Sequence, residues 1–138
     1  MTNRTLAILK PDCLEKKVHA KVIQQIIDAG FTIKGMRLLR LTKESAQKFY
    51  EIHKERAFYN DLVVYMTSGP AIPMCLEKDN AVESFRKLIG ATNPVNAEEG
   101  TIRKLYAESI ERNIVHGSDS NENAAKEISH FFDANDLV

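Results

Sequence analysis

The segment Thr5-Leu6-Ala7-Ile8-Leu9, closed by Lys10-Pro11-Asp12, decides how the rest of the chain is read. Its nearly continuous apolar character suits a strand covered on both faces, and the proline ends ladder pairing. Downstream, Val18, Val22, Ile23, Ile26 and Ile27 recur at helical steps and form one stripe, with Gly30 as a C-terminal cap. From Phe31 to Leu41 the odd positions Phe31, Ile33, Leu39 and Leu41 are apolar, as on the inner face of a strand, with Gly35 and Arg37 interrupting the pattern. Thr42 caps a second helix in which Ala46, Phe49, Tyr50 and His53 fall at helical spacing. Leu62 to Met66 is expected as a strand, and Ser68-Gly69-Pro70 as a turn. Ala71 to Leu76 is a further strand, which Pro73 would confine to an edge or a bulge.

Beyond it, Asp79 or Asn80 caps a helix bearing Val82, Phe85 and Ile89, and Gly90 closes it. Residues 91–100 have no periodicity and read as a long loop, of the kind that often carries function. Thr101 caps a short helical turn through Tyr106, and Asn113 to His116 is a brief strand. Ser118, Asp119 or Ser120 caps a last helix with Ala124, Ala125, Ile128, Phe131 and Phe132 inward. The resulting order, β-α-β-(α)-β-α-β-α, contains the split βαβ pattern. It predicts an α/β (α+β) fold of the ferredoxin-like βαββαβ type: an antiparallel sheet with helices on one face, plus an extra C-terminal helix.

The 138 residues suit one domain spanning 1–138. With 43% hydrophobic and 28% charged residues the chain is not of disordered composition. Its 19 basic and 19 acidic residues cancel. That balance argues against a surface-wide footprint for nucleic acid or anionic membrane. No apolar run approaches the roughly 20 residues a bilayer span needs. Cys13 and Cys75 form neither a CxxC pair nor a His/Cys metal spacing, and the N-terminus is not a signal-peptide pattern. A cytoplasmic protein without nucleic-acid or membrane partners is expected.

The usual glycine-rich phosphate cradles, GxxxxGK[ST] and GxGxxG, are missing, so any phosphate must be held by side chains. The segment Asn113-Ile114-Val115-His116-Gly117-Ser118-Asp119 is the most informative. It places a histidine at the end of a short strand, with glycine and capping residues after it. Neutral imidazole offers a nucleophilic lone pair, and a carboxylate on the following helix, such as Glu127, would fix its tautomer. A satisfied structural histidine fits the same spacing. Lys10 ends the first strand, either snorkelling to solvent or facing a ligand. Arg86 and Arg103 read as surface ion-pair residues or as a guanidinium clamp for phosphate oxygens, and the Thr92 hydroxyl could join them. Tyr50 reads as core. Phe58, in the charged connection Glu55-Arg56-Ala57-Phe58-Tyr59-Asn60-Asp61, reads as a loop anchor or as a stacking platform for a nucleobase.

Five pieces in order, "TLAILKPD" (5–12), "SGP" (68–70), "ATNP" (91–94), "GTIR" (100–103) and "RNIVHGSDS" (112–120), make the chain resemble a nucleoside diphosphate kinase over almost its whole length. The resemblance implies a Mg²⁺-dependent ping-pong transfer of a γ-phosphoryl group from a nucleoside triphosphate to a nucleoside diphosphate (ATP, GTP, GDP and deoxynucleotides among them), maintaining nucleotide pools. It implies His116 as the residue phosphorylated, and Lys10 and Asn113 as contacts to the sugar, with Lys10 also near the transferred group. Tyr50 matches a tyrosine close to both. Arg86, Thr92 and Arg103 match the phosphate-binding set, Phe58 the residue stacking on the base, and Ser118 and Glu127 the pair supporting the histidine. Magnesium would be bound through the nucleotide phosphates, with no direct protein ligand. A homo-oligomer is also implied, its size open between dimer, tetramer and hexamer. The chain departs from the family pattern at Cys13, Ala57, Asp61, Lys78 and Lys104-Leu105, none of them a matched catalytic position.

Overall fold

The computed structural model describes residues 3–138, so Met1 and Thr2 of the expected 1–138 span lie outside the described residues. In chain order the elements are β1 (Arg4–Leu9), α1 (Pro11–Glu15), α2 (His19–Asp28), β2 (Thr32–Met36), α3 (Lys43–Phe49), α4 (Tyr59–Met66), β3 (Ile72–Glu77), α5 (Ala81–Ile89), α6 (Ile102–Tyr106), β4 (Val115–Gly117) and α7 (Asn121–Phe131). Short 3₁₀ turns occupy Glu51–His53, Pro94–Asn96 and Ala134–Asp136.

The strands form an antiparallel sheet of order β2-β3-β1-β4, the ferredoxin-like arrangement. β1 is interior, which explains why Leu6, Ala7, Ile8 and Leu9 are all fully buried. Its side chains alternate between two apolar layers. Ala7 and Leu9 pack with Val22 and Ile26 of α2 and Phe85 and Ile89 of α5. Leu6 and Ile8 pack with Ala46 of α3, Val63 and Met66 of α4, and Ile128 and Phe131 of α7. The second face is therefore covered by α3 and α4 as well as by the added C-terminal helix.

Local chemistry sets the element ends. Thr42, Thr101 and Ser120 cap α3, α6 and α7 by accepting the N–H groups of Ser45, Lys104 and Asn123. After α2 the Gly30 and Phe31 N–H groups return to the Ile27 and Ile26 carbonyls, a Schellman closure around Gly30 at φ +95.

Two expectations are corrected. Leu62–Met66 is helical, not extended: Val63 and Met66 are buried while Val64 is exposed, so a short apolar run belongs here to an amphipathic helix. Pro73 lies in interior strand β3, at neither a sheet edge nor the bulge, which falls between Ile33 and Gly35. Its carbonyl accepts from Arg37 N–H just beyond the end of β2, so the missing proline N–H faces a place where regular pairing has ceased. Pro11 also does more than stop β1, since it is the first residue of α1, where its lack of an N–H costs nothing.

Candidate active site

Register brings the central residues together. His116 pairs with Ile8, so its side chain lies on the β1 face that packs α3, α4 and α7. Alternation carries Lys10 to the same face as Ile8. Gly117 pairs with Ala7 on the opposite face, where a Cβ would stand 2.9 Å from Phe85 and 3.1 Å from Ile89; β4 thus rests directly on α5.

The His116 ring is fixed from two sides. Its Nε2–H donates to Glu127 Oε1 at 2.8 Å, and the same oxygen accepts the Ser118 hydroxyl at 2.7 Å. A carboxylate oxygen only accepts, so Nε2 carries the proton and Nδ1 keeps its lone pair. Nδ1 has no protein partner among the described residues. Ser118 Oγ also receives the Leu6 N–H at 3.2 Å, tying the carboxylate to β1. The Phe49 ring meets the imidazole edge to face, centroids 5.4 Å apart.

Immediately before β4 the backbone makes a γ-turn. The Val115 N–H donates to the Asn113 carbonyl at 2.8 Å across Ile114, whose φ is +75. A β-branched residue at positive φ is strained by about 1–3 kcal/mol and persists only where its surroundings hold it. Here the Ile114 N–H donates to Asp12 Oδ2 at 3.0 Å and its carbonyl accepts the Lys10 N–H at 2.8 Å. Tyr65 donates its hydroxyl to the other Asp12 oxygen. Burial and that carboxylate push the Tyr65 phenol well above its ordinary range, so it remains a donor.

Nine of the ten residues singled out in the sequence line one cleft of about 380 Å³: Lys10, Tyr50, Phe58, Arg86, Thr92, Arg103, Asn113, His116 and Glu127. Ser118 is fully buried behind it, against Glu127. The Lys10 ammonium donates to Asn113 Oδ1 at 2.8 Å, and Asn113 Nδ2 donates to the Thr92 carbonyl at 3.2 Å. Arg103 donates to the carbonyls of Gly90 and Val115 at 2.9 and 2.8 Å. Arg86 is exposed at the rim and Phe58 is half-exposed, its ring 5.6 Å from that of His53.

These cations repel one another. Burial, then the nearby Arg103, lower the Lys10 ammonium to about 8, and burial with Arg86 lowers Arg103 to about 10. Burial and the Glu127 charge raise the Tyr50 phenol out of its usual range. Such a cleft is suited to an anion that brings several negative oxygens at once.

Sequence reading gave no place in the site to Asp12, Tyr65, Phe49, His53 or Asp119. The last three line the cleft, and Asp12 with Tyr65 brace its floor. For Asp12 the local signal was the Lys-Pro-Asp ending of β1; its partner Ile114 is too distant in sequence for any spacing rule.

A sequence model of the family described as nucleoside diphosphate kinase matches residues 3–137. The nucleoside diphosphate kinase of Chlorobium limicola is 58% identical over 135 residues, covering 98% of this chain and 96% of its own. That of Chlorobaculum tepidum is 59% identical with the same coverage, 98% and 96%. Among solved structures, the nucleoside diphosphate kinase of Aquifex aeolicus superposes with a TM-score of 0.97 at 37% identity, over 99% of each chain. The halophilic enzyme of Halobacterium salinarum, in complex with CDP, superposes with a TM-score of 0.95 at 32% identity, over 100% of this chain and 92% of that one.

Proposed function

The chain belongs to the nucleoside diphosphate kinase family and moves the γ-phosphoryl group of a nucleoside triphosphate to a nucleoside diphosphate; from that premise we propose that His116 Nδ1 is the atom that carries it. The observation behind this assignment is the Glu127–Nε2 hydrogen bond, which leaves Nδ1 as the free lone pair in a cationic cleft. Nδ1 attacks the γ-phosphorus, the N–P bond forms, and the bond to the β-phosphate oxygen breaks as the diphosphate departs. A second diphosphate then attacks the same phosphorus with a β-phosphate oxygen and returns Nδ1 to its lone pair. One site thereby serves donor and acceptor in turn.

Each cleft residue has a role in this scheme. Lys10, Arg86 and Arg103 offset charge on the equatorial oxygens, and the Thr92 hydroxyl adds a donor. Lys10 and Asn113 hold the sugar, and Phe58 stacks under the base. Tyr50 lies beside the reacting group as a neutral phenol, while Glu127 and Ser118 hold the imidazole. Residues 1–138 act as a single domain.

Magnesium fits as a companion of the substrate. Glu127 already serves His116 and Ser118, so Asp119 is the cleft carboxylate best placed to meet an ion, although one of its oxygens accepts from Asn123 at 2.6 Å. The ion would be held chiefly by the nucleotide's own phosphates and would neutralise their charge. The two cysteines are free and buried, in keeping with a reducing, cytoplasmic setting. No described helix is long and apolar enough to cross a membrane.

A homo-oligomer is also proposed. Apart from one hydrogen bond from the Val138 N–H to the Lys34 carbonyl, the outer edge of β2 has no backbone partner among the described residues. Met36 and Leu38 beside it are exposed. Bare apolar strand edges favour pairing with another chain.

Incubation with γ-labelled ATP should give an acid-labile phosphoprotein that GDP discharges. The His116→Ala protein should form none. Labelling that survives in that variant would overturn the assignment of the histidine.

A further inference from the structure

Past Phe58 the cleft opens into a second lobe of about 690 Å³, sharing Lys10, Phe58 and Asn113 with the first. Its walls are apolar at Leu62 and Ile110, yet they also carry the carboxylates of Asp61 and Glu111. Asp61 stands one helical turn after Phe58 and directly before Leu62, and all three line the lobe that a ring lying on Phe58 would face. The Asp61 side chain has neither an ion-pair nor a hydrogen-bond partner among the described residues. Of the two cations in this lobe, Lys10 is bonded to Asn113, and Arg112 is turned to the Tyr65 ring at 5.7 Å and to Glu15 at 4.0 Å.

We infer that Asp61 is a base-selecting residue: its carboxylate favours acceptor nucleotides whose base presents two adjacent N–H groups, guanine above all. The inference rests on the proposed seating of the base on Phe58. A carboxylate only accepts hydrogen bonds, and its two oxygens match the guanine N1–H and exocyclic amine. Hypoxanthine keeps N1–H and the same stacking surface but lacks the amine. Uracil offers a single N–H flanked by carbonyls, which the carboxylate repels. Stacking alone is indifferent to these differences.

Asp61 also sits in the first turn of α4, where an acid suits the helix dipole. That structural contribution would not alter a ratio between two bases. The test is therefore single-turnover discharge of the isolated phosphoenzyme by GDP and by inosine diphosphate, in the native protein, Asp61→Asn and Glu111→Gln. The native protein should show a roughly tenfold GDP advantage in apparent affinity, the scale of one lost charge-assisted hydrogen bond. In Asp61→Asn the two nucleotides should come within about twofold of each other, since the amide no longer gives two acceptors. Equal GDP and inosine diphosphate constants in the native protein would overturn the inference without recourse to any variant. So would an unchanged ratio in Asp61→Asn, or a ratio that collapses only in Glu111→Gln. Failure of both nucleotides to discharge the native phosphoenzyme would instead remove the kinase scheme beneath it.

Discussion

Two residues carry most of what is unusual here. Lys10 is a buried cation held to about 8 by burial and Arg103. A lysine depressed in the folded state opposes folding below that pH, and this penalty fades as pH rises through about 8 toward the unfolded value. In the proposed scheme catalysis runs the other way, because only the charged ammonium stabilises phosphate. The pH profile of kcat/KM should thus fall above about 8, and Lys10→Arg should retain residual activity without that limb. A flat profile to about pH 10 would show that the charge of Lys10 is not used. Ile114 is the second residue. It is fully buried at φ +75, so glycine and alanine there leave comparable cavities, but only glycine relaxes the backbone. Ile114→Gly should unfold at higher denaturant than Ile114→Ala, by about 1 kcal/mol, the reverse of the order found in helices. The sequence around Ile114 contains nothing to announce positive φ; the conformation is imposed by Asp12 from more than 100 residues away.

At the scale of elements, legibility followed how local the determining forces are. The caps Thr42, Thr101 and Ser120 act within three residues; the first two could be read directly from the chain, while Ser120 was one of three neighbouring candidates with Ser118 and Asp119. The order of sheet and crossover helices followed from periodicity. Leu62-Val63-Val64-Tyr65-Met66 misled because five apolar residues fit a strand as well as a helix; only the packing of Val63 and Met66 toward β1, with Val64 outward, separates the two. The site was read from motif resemblance at ten positions, whereas their convergence depends on β4 register that no local pattern encodes. Gly117 is the test of that register. A methyl group there would press on Phe85 and Ile89, so Gly117→Ala should cost about 1–3 kcal/mol in denaturant unfolding. It should also lower the rate of phosphoenzyme formation, since β4 must move from α5 and takes His116 with it. Unfolding and labelling unchanged together would mean that β4 and α5 are not in this close contact.

On the scale of the whole molecule, α2 and α5 close one face of the sheet and α3, α4 and α7 the other, which leaves the outer edge of β2 as one open edge of the sheet. Leu38→Lys, which charges the exposed residue beside that edge, should weaken self-association as read by analytical ultracentrifugation. An unaltered assembly would place the contact elsewhere. The net charge of zero is consistent with an exterior that repels nobody, while the three cations of the cleft are confined to one concave place. Two of the closures that make this place are very long, since Lys10 meets Asn113 and Leu6 meets Ser118, while His116 finds Glu127 a short way on, in the last helix. Ordering such loops is slow compared with forming a helix. During synthesis, a ribosome that has made everything up to His116 has still made a histidine with no carboxylate to select its tautomer. The growing polypeptide therefore acquires the full brace on that ring only when α7 has emerged and docked on β1.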